Sequence, residues 1–379
     1  MKFKKIALIT ILDNINLGTY LQALALGLVF KQKGCEVEII DYHRKVTTLT
    51  YVIKTTFKKN VVKILYNILY NIPETFYLKN KDRRFLRNYL SFSSIKYTSY
   101  QALKTNPPKA DIYVTGSDQV WNSVYNRGIE RAFYLDFLPL NTTACRAAYA
   151  ASIGMDMFPK DEVKETKSLI ARYDYLSVRE THAKKILNEI GFDNVEIVLD
   201  PTLLLSKSDW AKLINNNVFF KREQYLLIYS VETNKENSII KNIATQIAKE
   251  KGYAIYNVSC NDYFHKLSFC DRNYMRATPD LFLSLMYNAD FIVASSFHGT
   301  AFSINMNKEF LSITPNKFNS RVNSLLDLFD LKNRLVTDFN FQYENMEFID
   351  YNKINVLLKK ERATSLMYID KVIESDRSL

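Results

Sequence analysis

Residues 289–306, ADFIVASSFHGTAFSINM, decide how this chain is read. The apolar run Phe291–Ala294 has the length and character of a buried parallel strand. It passes directly into Ser295, Ser296, Phe297, His298 and Gly299, and a second apolar run, 300–306, follows with the pattern of a helix. His298 is therefore expected where the carboxyl end of a strand meets the amino end of a helix. In open α/β sheets that crevice receives ligands, and a helix amino terminus favours anions. The chain has 4 histidines, and this one alone has such a setting. An imidazole with an ordinary pKa of ~6.5 exchanges protons at neutral pH. The plain reading is a polar residue satisfied within a loop. The functional one is an anionic substrate with acid/base chemistry beside it.

The same alternation runs outward in both directions. A strand over 5–11 leads through a polar loop, 13–18, into a helix over 19–33, which Gly34 ends at its C′ position. A second strand over 35–41 completes a βαβ unit. The loop lacks GxGxxG, so the dinucleotide fingerprint is missing; Asn14, Asn16 and Gly18 are left either to hold a ligand or to make a simple turn. A strand over 111–115 runs into Gly116, Ser117, Asp118 and Gln119. Further short strands over 147–153, 175–178 and 196–199 each end in a glycine or a polar residue. Such repetition predicts a doubly wound parallel sheet. After a linker near 200–210, where Ser206 or Ser208 can cap a new helix, the pattern restarts. Strands are expected over 225–231, 253–259 and 310–314, with helices over 236–251, 279–287, 321–329 and 351–375. The simplest architecture is α/β, with two Rossmann-like domains whose parallel sheets face a cleft. The expected domains are 1–205, carrying a basic helical insertion over about 44–106, and 206–379, carrying the C-terminal helix.

With 47% apolar and 24% charged residues, the composition is that of a folded, soluble chain of two domains rather than a disordered one. The four cysteines, Cys35, Cys145, Cys260 and Cys270, form no CxxC pair and have no histidine at zinc-ligand spacing. Reduced thiols, a cytoplasmic setting and no metal are expected. The opening run MKFKKIALITIL reads as a first strand rather than a leader, because it meets Asp13 and Asn14 with no small-residue cleavage site. The net charge of +11 is concentrated: residues 44–96 hold 12 Lys or Arg against 2 acids. Within them Ile53, Phe57, Val61, Leu65, Ile68 and Leu69 recur near helical spacing beside Lys54, Lys58, Lys59 and Lys63. That pattern fits a solvated helical hairpin packed on the first domain. It also fits peripheral contact with the inner face of a membrane through 53–69. No nucleic-acid module is recognisable, so no nucleic acid partner is expected.

The motifs fall in a fixed order: LGTYLQALAL, TGSDQVWN, AYAASIG, LSVRE, LDPTLLL, SSFHGTAFSI and NSRVNSLL. In that order the chain resembles the polysaccharide pyruvyl transferase family, from about residue 6 to about residue 336 and least over 44–106. The resemblance implies a fold similar to that of GT-B glycosyltransferases. It also implies transfer of the pyruvyl group of phosphoenolpyruvate onto two hydroxyls of a sugar, in a polysaccharide or its lipid-linked precursor. The product is a cyclic ketal, phosphate is released, and phosphoenolpyruvate is a co-substrate with no other cofactor. The family's late histidine maps onto His298 as the catalytic residue, and the arginine of its LSVRE-type motif onto Arg179. Many members carry arginine two residues before the histidine; here Ser296 stands there, and Arg321 is a candidate for the missing charge. A doubly anionic donor calls for cations and amide donors, and a guanidinium can grip either group in a bidentate fork. Ser295, Ser296, Gly299, Arg179 and Arg321 are accordingly the expected donor-binding residues, with Arg146 and Arg276 behind them. Asp118, Gln119 and Asn16 are expected to receive the acceptor sugar. Asp200 reads as a turn residue before Pro201. Two other functions fit the same architecture: a GT-B glycosyltransferase using a nucleotide-sugar, and a non-catalytic protein that binds an anion or glycan.

Overall fold

A computed structural model describes residues 3–14, 16–44, 72–214, 223–230, 236–260, 266–313, 319–337 and 346–375. The chain divides into two compact units. One comprises Met1–Ile15, Thr19–Leu204 and Arg362–Leu379, the other Asn16–Gly18 and Leu205–Glu361.

The first unit is built on a seven-stranded sheet: β1 (Lys5–Ile9), β2 (Glu36–Tyr42), β3 (Ser91–Tyr97), β4 (Ile112–Thr115), β5 (Cys145–Ala151), β6 (Tyr175–Val178) and β7 (Glu196–Ile197). The spatial order is β3-β2-β1-β4-β5-β6-β7, and every pairing is parallel. Ile6 lies between Val37 and Ile112 in register. Central β1, β4 and β5 are covered on both faces, which explains their near-continuous apolar runs. Helix α1 (Leu17–Gln32) makes the first crossover and stops at Gly34, whose φ of +83° accommodates the left-handed reversal. The next helices are α2 (Ile72–Arg87), α3 (Tyr100–Thr105), α4 (Ser123–Asn126), α5 (Val163–Ile170), α6 (Thr181–Glu189) and α7 (Pro201–Leu204).

The second unit begins with α8 (Lys207–Lys212). Ser206 caps it and exchanges bonds with Asp209 in a full capping box, so of the two serines proposed as caps it is Ser206 that serves. Six strands follow: β8 (Tyr225–Tyr229), β9 (Ala254–Val258), β10 (Arg272–Tyr274), β11 (Phe291–Ala294), β12 (Glu309–Ile313) and β13 (Leu335–Val336), in the order β10-β9-β8-β11-β12-β13. All pair in parallel. Helices α9 (Glu236–Lys251), α10 (Pro279–Asn288), α11 (Phe297–Asn305) and α12 (Asn319–Leu328) connect them, and α13 (Tyr351–Ile373) closes the chain.

Two expectations change. The stretch 44–106 is not wholly a helical insertion: its later part supplies α2 and then β3, the sheet's own edge strand. β3 has the exposure pattern of a half-solvated strand, with a register shift opposite Ile39 and Asp41, and so lacks the apolar run that marks the central strands. The proposed basic helix over 53–69 lies outside the described residues. Residues 362–379, expected in the C-terminal domain, belong instead to the first unit. There Ser365 Oγ accepts from Leu199 N–H at 2.9 Å, the Tyr368 hydroxyl donates to Ala148 O at 2.8 Å, and Ile369 and Val372 are buried.

Candidate functional site

In each sheet the strand order reverses at one point, between β1 and β4 in the first unit and between β8 and β11 in the second. Two neighbouring connections leave in opposite directions there and open a crevice at the strands' carboxyl ends. Asn16, Asp118, Gln119, Ser295, Ser296, His298 and Gly299 lie on the elements and loops that border these two points.

In the second unit, β8 ends at Tyr229–Ser230 and β11 at Ala294–Ser295. The Ser295 hydroxyl donates to Ser230 Oγ at 2.9 Å, joining the two strand ends. Ser296 has extended backbone angles and is the N-cap of α11; its Oγ accepts from Gly299 N–H at 3.0 Å. That bond explains the serine in the position where an arginine was looked for, since the cap needs a short side chain. His298 is the second residue of the helix, in its first turn and buried (5% exposed). The Phe297 ring stands edge-on to the imidazole at 5.4 Å. Gly299 is confined: a Cβ there would lie 2.7 Å from Ala294 Cβ.

The segment Asn16–Gly18 folds with this unit. Asn16 Oδ1 accepts from Gly18 N–H at 3.0 Å, an Asx turn into α1 that occupies the oxygen proposed for the acceptor sugar. Gly18 lies directly against the imidazole, where a Cβ would come within 2.3 Å of His298 Cγ and Nδ1. The glycine of LGTY is thus the residue that leaves room for the ring, a role its sequence context did not signal.

Cations reach the same edge of the sheet from two sides. Arg276 follows β10 with a φ of +54°, beside Ala277, whose N–H bonds Ser259 O beyond β9. Arg321 lies in the first turn of α12, the helix after β12, and is half-buried. Arg146 does not join them. It sits near the amino end of β5, buried, with its guanidinium donating to the carbonyls of Leu138 and Pro139. Its place as a reserve donor ligand is withdrawn, because it is at the opposite edge of the sheet from the crevice.

In the first unit the switch point carries a buried polar network. Thr10 Oγ1 donates to Ser117 O at 2.7 Å and receives Gln22 Nε2 at 3.1 Å. Asp118 sits just beyond β4 with φ +82°, a left-handed conformation uncommon outside glycine. Its Oδ2 accepts the Thr19 hydroxyl at 2.7 Å and its Oδ1 the Gln119 N–H at 2.8 Å. Gln119 Oε1 accepts Asn122 Nδ2 at 2.7 Å and packs under Gly154, whose φ is +59°. Asp118 and Gln119, proposed for acceptor hydroxyls, therefore brace the loop as well.

Arg179 is the largest departure from expectation. Its side chain is 1% exposed; Nε donates to Glu180 Oε1 at 2.8 Å and Nη1 to Asp200 Oδ2 at 2.7 Å. Burial opposes the guanidinium's charge, and the carboxylates of Glu180, Asp200 and Asp118 outweigh it and raise its affinity for the proton. Ser152 Oγ donates to the same Glu180 oxygen, and Ser117 Oγ to the same Asp200 oxygen. Asp200 also accepts from Thr202 N–H and Oγ1. The reading of Asp200 as a mere turn residue missed this partnership, for which a separation of 21 positions gives no local signal.

Among the described residues no group of three His, Cys, Asp or Glu is placed to hold a metal. No helix among them is long and apolar enough to cross a membrane.

Two parallel Rossmann-like units with polar crevices at their switch points define the GT-B class of enzyme folds. A UDP-N-acetylglucosamine 2-epimerase shares the fold, with a TM-score of 0.50 at 10% identity over 98% of this chain and 95% of that one. So does the Arabidopsis thaliana enzyme UGT89C1, crystallised with UDP-L-rhamnose, with a TM-score of 0.50 at 9% identity over 98% and 99%. No curated protein matches the chain in sequence. The polysaccharide pyruvyl transferase profile matches residues 16–317, from the Asx turn to just beyond β12, and the chain belongs to that family.

Proposed function

We propose that this protein transfers the pyruvyl group of phosphoenolpyruvate to two hydroxyls of a sugar, forming a ketal and releasing phosphate. Family membership supports the reaction class. The observation that carries the residue assignment is the position of His298, in the first turn of α11 at the β8–β11 switch point, where Ser295 Oγ and Ser230 Oγ join the two strand ends. The helix amino terminus there favours an anion, and Arg276 and Arg321 approach from the same sheet edge as candidate ligands for carboxylate or phosphate. Ketal formation requires a proton for the donor's methylene carbon, which makes the neighbouring carbon electrophilic. It also requires removal of a proton from each attacking hydroxyl. His298 performs at least one of these transfers, and Ser295 and Ser296 with Gly299 form the floor beneath the donor. Arg179 then acts by positioning: it holds Glu180 and Asp200 and, through them, Ser152 beyond β5 and Ser117 in the β4 loop that carries Asp118 and Gln119. The acceptor is a sugar of a polysaccharide or of its lipid-linked precursor.

The test is incubation of the full chain with phosphoenolpyruvate and candidate glycans, with mass spectrometry for the pyruvyl ketal and an assay for phosphate. His298→Ala is expected to lower turnover by about 10²–10⁴ while the fold is kept, the range of a well-placed acid/base group. Turnover near the wild-type rate removes His298 from the mechanism. Release of a nucleotide from a nucleotide-sugar, with no phosphate from phosphoenolpyruvate, replaces the proposal with glycosyl transfer.

A further inference from the structure

The charge run that dominates the sequence has one described structural counterpart. Where α2, the turn after it and the edge strand β3 meet the end of α1, the first unit holds a cavity of about 670 Å³. Lys31, Arg87 and Lys96 line it, with the hydroxyls of Ser91, Ser93 and Ser94; among the described residues, the one carboxylate on its wall is Asp41.

That carboxylate is already engaged. Asp41 Oδ1 accepts from Arg83 and from His43 Nε2, the latter at 2.9 Å, and Oδ2 lies 3.4 Å from Arg87 Nη2. Burial alone would raise the Asp41 carboxyl, but His43 and Arg83 outweigh it and hold it down at about 2. Two of the cations are preset. Arg87 stacks over the Phe92 ring at 4.9 Å, and Lys31 donates to Tyr89 O. Lys96 is exposed and makes no ion pair with a described carboxylate. The register shift in β3 turns Ser93 inward, where its Oγ accepts from Asp41 N–H at 2.9 Å, and leaves Ser94 exposed at the mouth. A guanidinium fork, two ammonium groups and free hydroxyls in a space of this size suit a tetrahedral oxyanion with several acceptor oxygens.

We propose that this cavity binds a phosphate-bearing ligand of the size of a lipid headgroup or a sugar diphosphate. Arg87 and Lys96 take the phosphate oxygens, Ser91 and Ser94 take the hydroxyl-bearing remainder, and Lys31 closes the side nearest α1. This site holds independently of the pyruvyl-transfer reading, since none of its residues belongs to the His298 region.

The test uses the full chain and two probes: sodium pyrophosphate by calorimetric titration, and vesicles of phosphatidylcholine with or without phosphatidate by co-sedimentation. The variants are Arg87→Gln with Lys96→Gln, and, separately, Ser94→Glu, which puts a carboxylate at an exposed position in the mouth. Lys353→Gln with Lys360→Gln, both exposed on α13, is the charge-matched control. Both cavity variants are expected to weaken binding at least tenfold, and the control to leave it unchanged. Tight binding of pyrophosphate without phosphatidate vesicles assigns a soluble phosphate; vesicle binding dependent on phosphatidate assigns a headgroup. Absence of both, or an equal loss in cavity variants and control, overturns the site. Melting temperatures within a few degrees of wild type show that each variant is folded, and Ser94→Glu decides the matter if the double variant is not.

Discussion

Replacing Arg179 by methionine separates the two roles this residue can have. The side chains of Arg179, Glu180 and Asp200 are 1%, 3% and 0% exposed, and the guanidinium is the cation both carboxylates share. Methionine fills much of the same volume but leaves two carboxylates buried just beyond β6 and β7, without the cation they share. Breaking a buried pair in this way costs about 3–5 kcal/mol, a large part of the roughly 5–15 kcal/mol that holds a domain folded. Urea unfolding followed through Trp121, which is buried in the first unit, is the assay. The midpoint should fall with little change in slope. Adding Glu180→Gln and Asp200→Asn should restore part of the loss, because the uncompensated charges are gone. If instead Arg179→Met unfolds at the wild-type midpoint and loses only turnover, the triad argument fails and the guanidinium is a ligand for the donor.

Two further outcomes follow from the geometry. Gly18→Ala places a carbon 2.3 Å from the His298 ring, more than 1 Å inside ordinary contact. Since alanine is the better helix former by about 1 kcal/mol, the chain should stay folded while turnover falls by about 10²-fold through misplacement of the imidazole; unchanged turnover would show that the ring's position does not matter. Asp41→Asn tests the depressed carboxyl at about 2. A group held below its unfolded value stabilises the fold above that value, near ~3.9, and ceases to do so as pH falls through the folded one. The wild type's advantage over the variant, about 2–3 kcal/mol from this source at pH 6, should thus shrink between pH 4 and pH 2 in urea titrations. An advantage constant from pH 6 to pH 3 would contradict the assignment.

The chain's local pattern determined a great deal. Strand–loop–helix punctuation placed β1, β6, β8, β11 and α9 to within two residues at each end, because buried parallel strands are apolar throughout and their ends are marked by glycine, serine or aspartate. It placed His298 at a helix start for the same reason. Tertiary structure decided what contacts across long separations decide. Edge strand β3 is half-solvated and so carries no apolar run, and it emerges only when it pairs with β2. The last part of α13 looks like any amphipathic helix until Ser365 and Tyr368 find Leu199 and Ala148. Arg179 has the charge to hold a donor, but two carboxylates folded onto it neutralise that charge first. Gly18 shows no special pattern until an imidazole 280 positions away comes to lie against it. Periodicity reports which face of an element is buried; it is silent on what fills the space opposite, and that is where ion pairs, room for a ring and the shape of a cavity are settled.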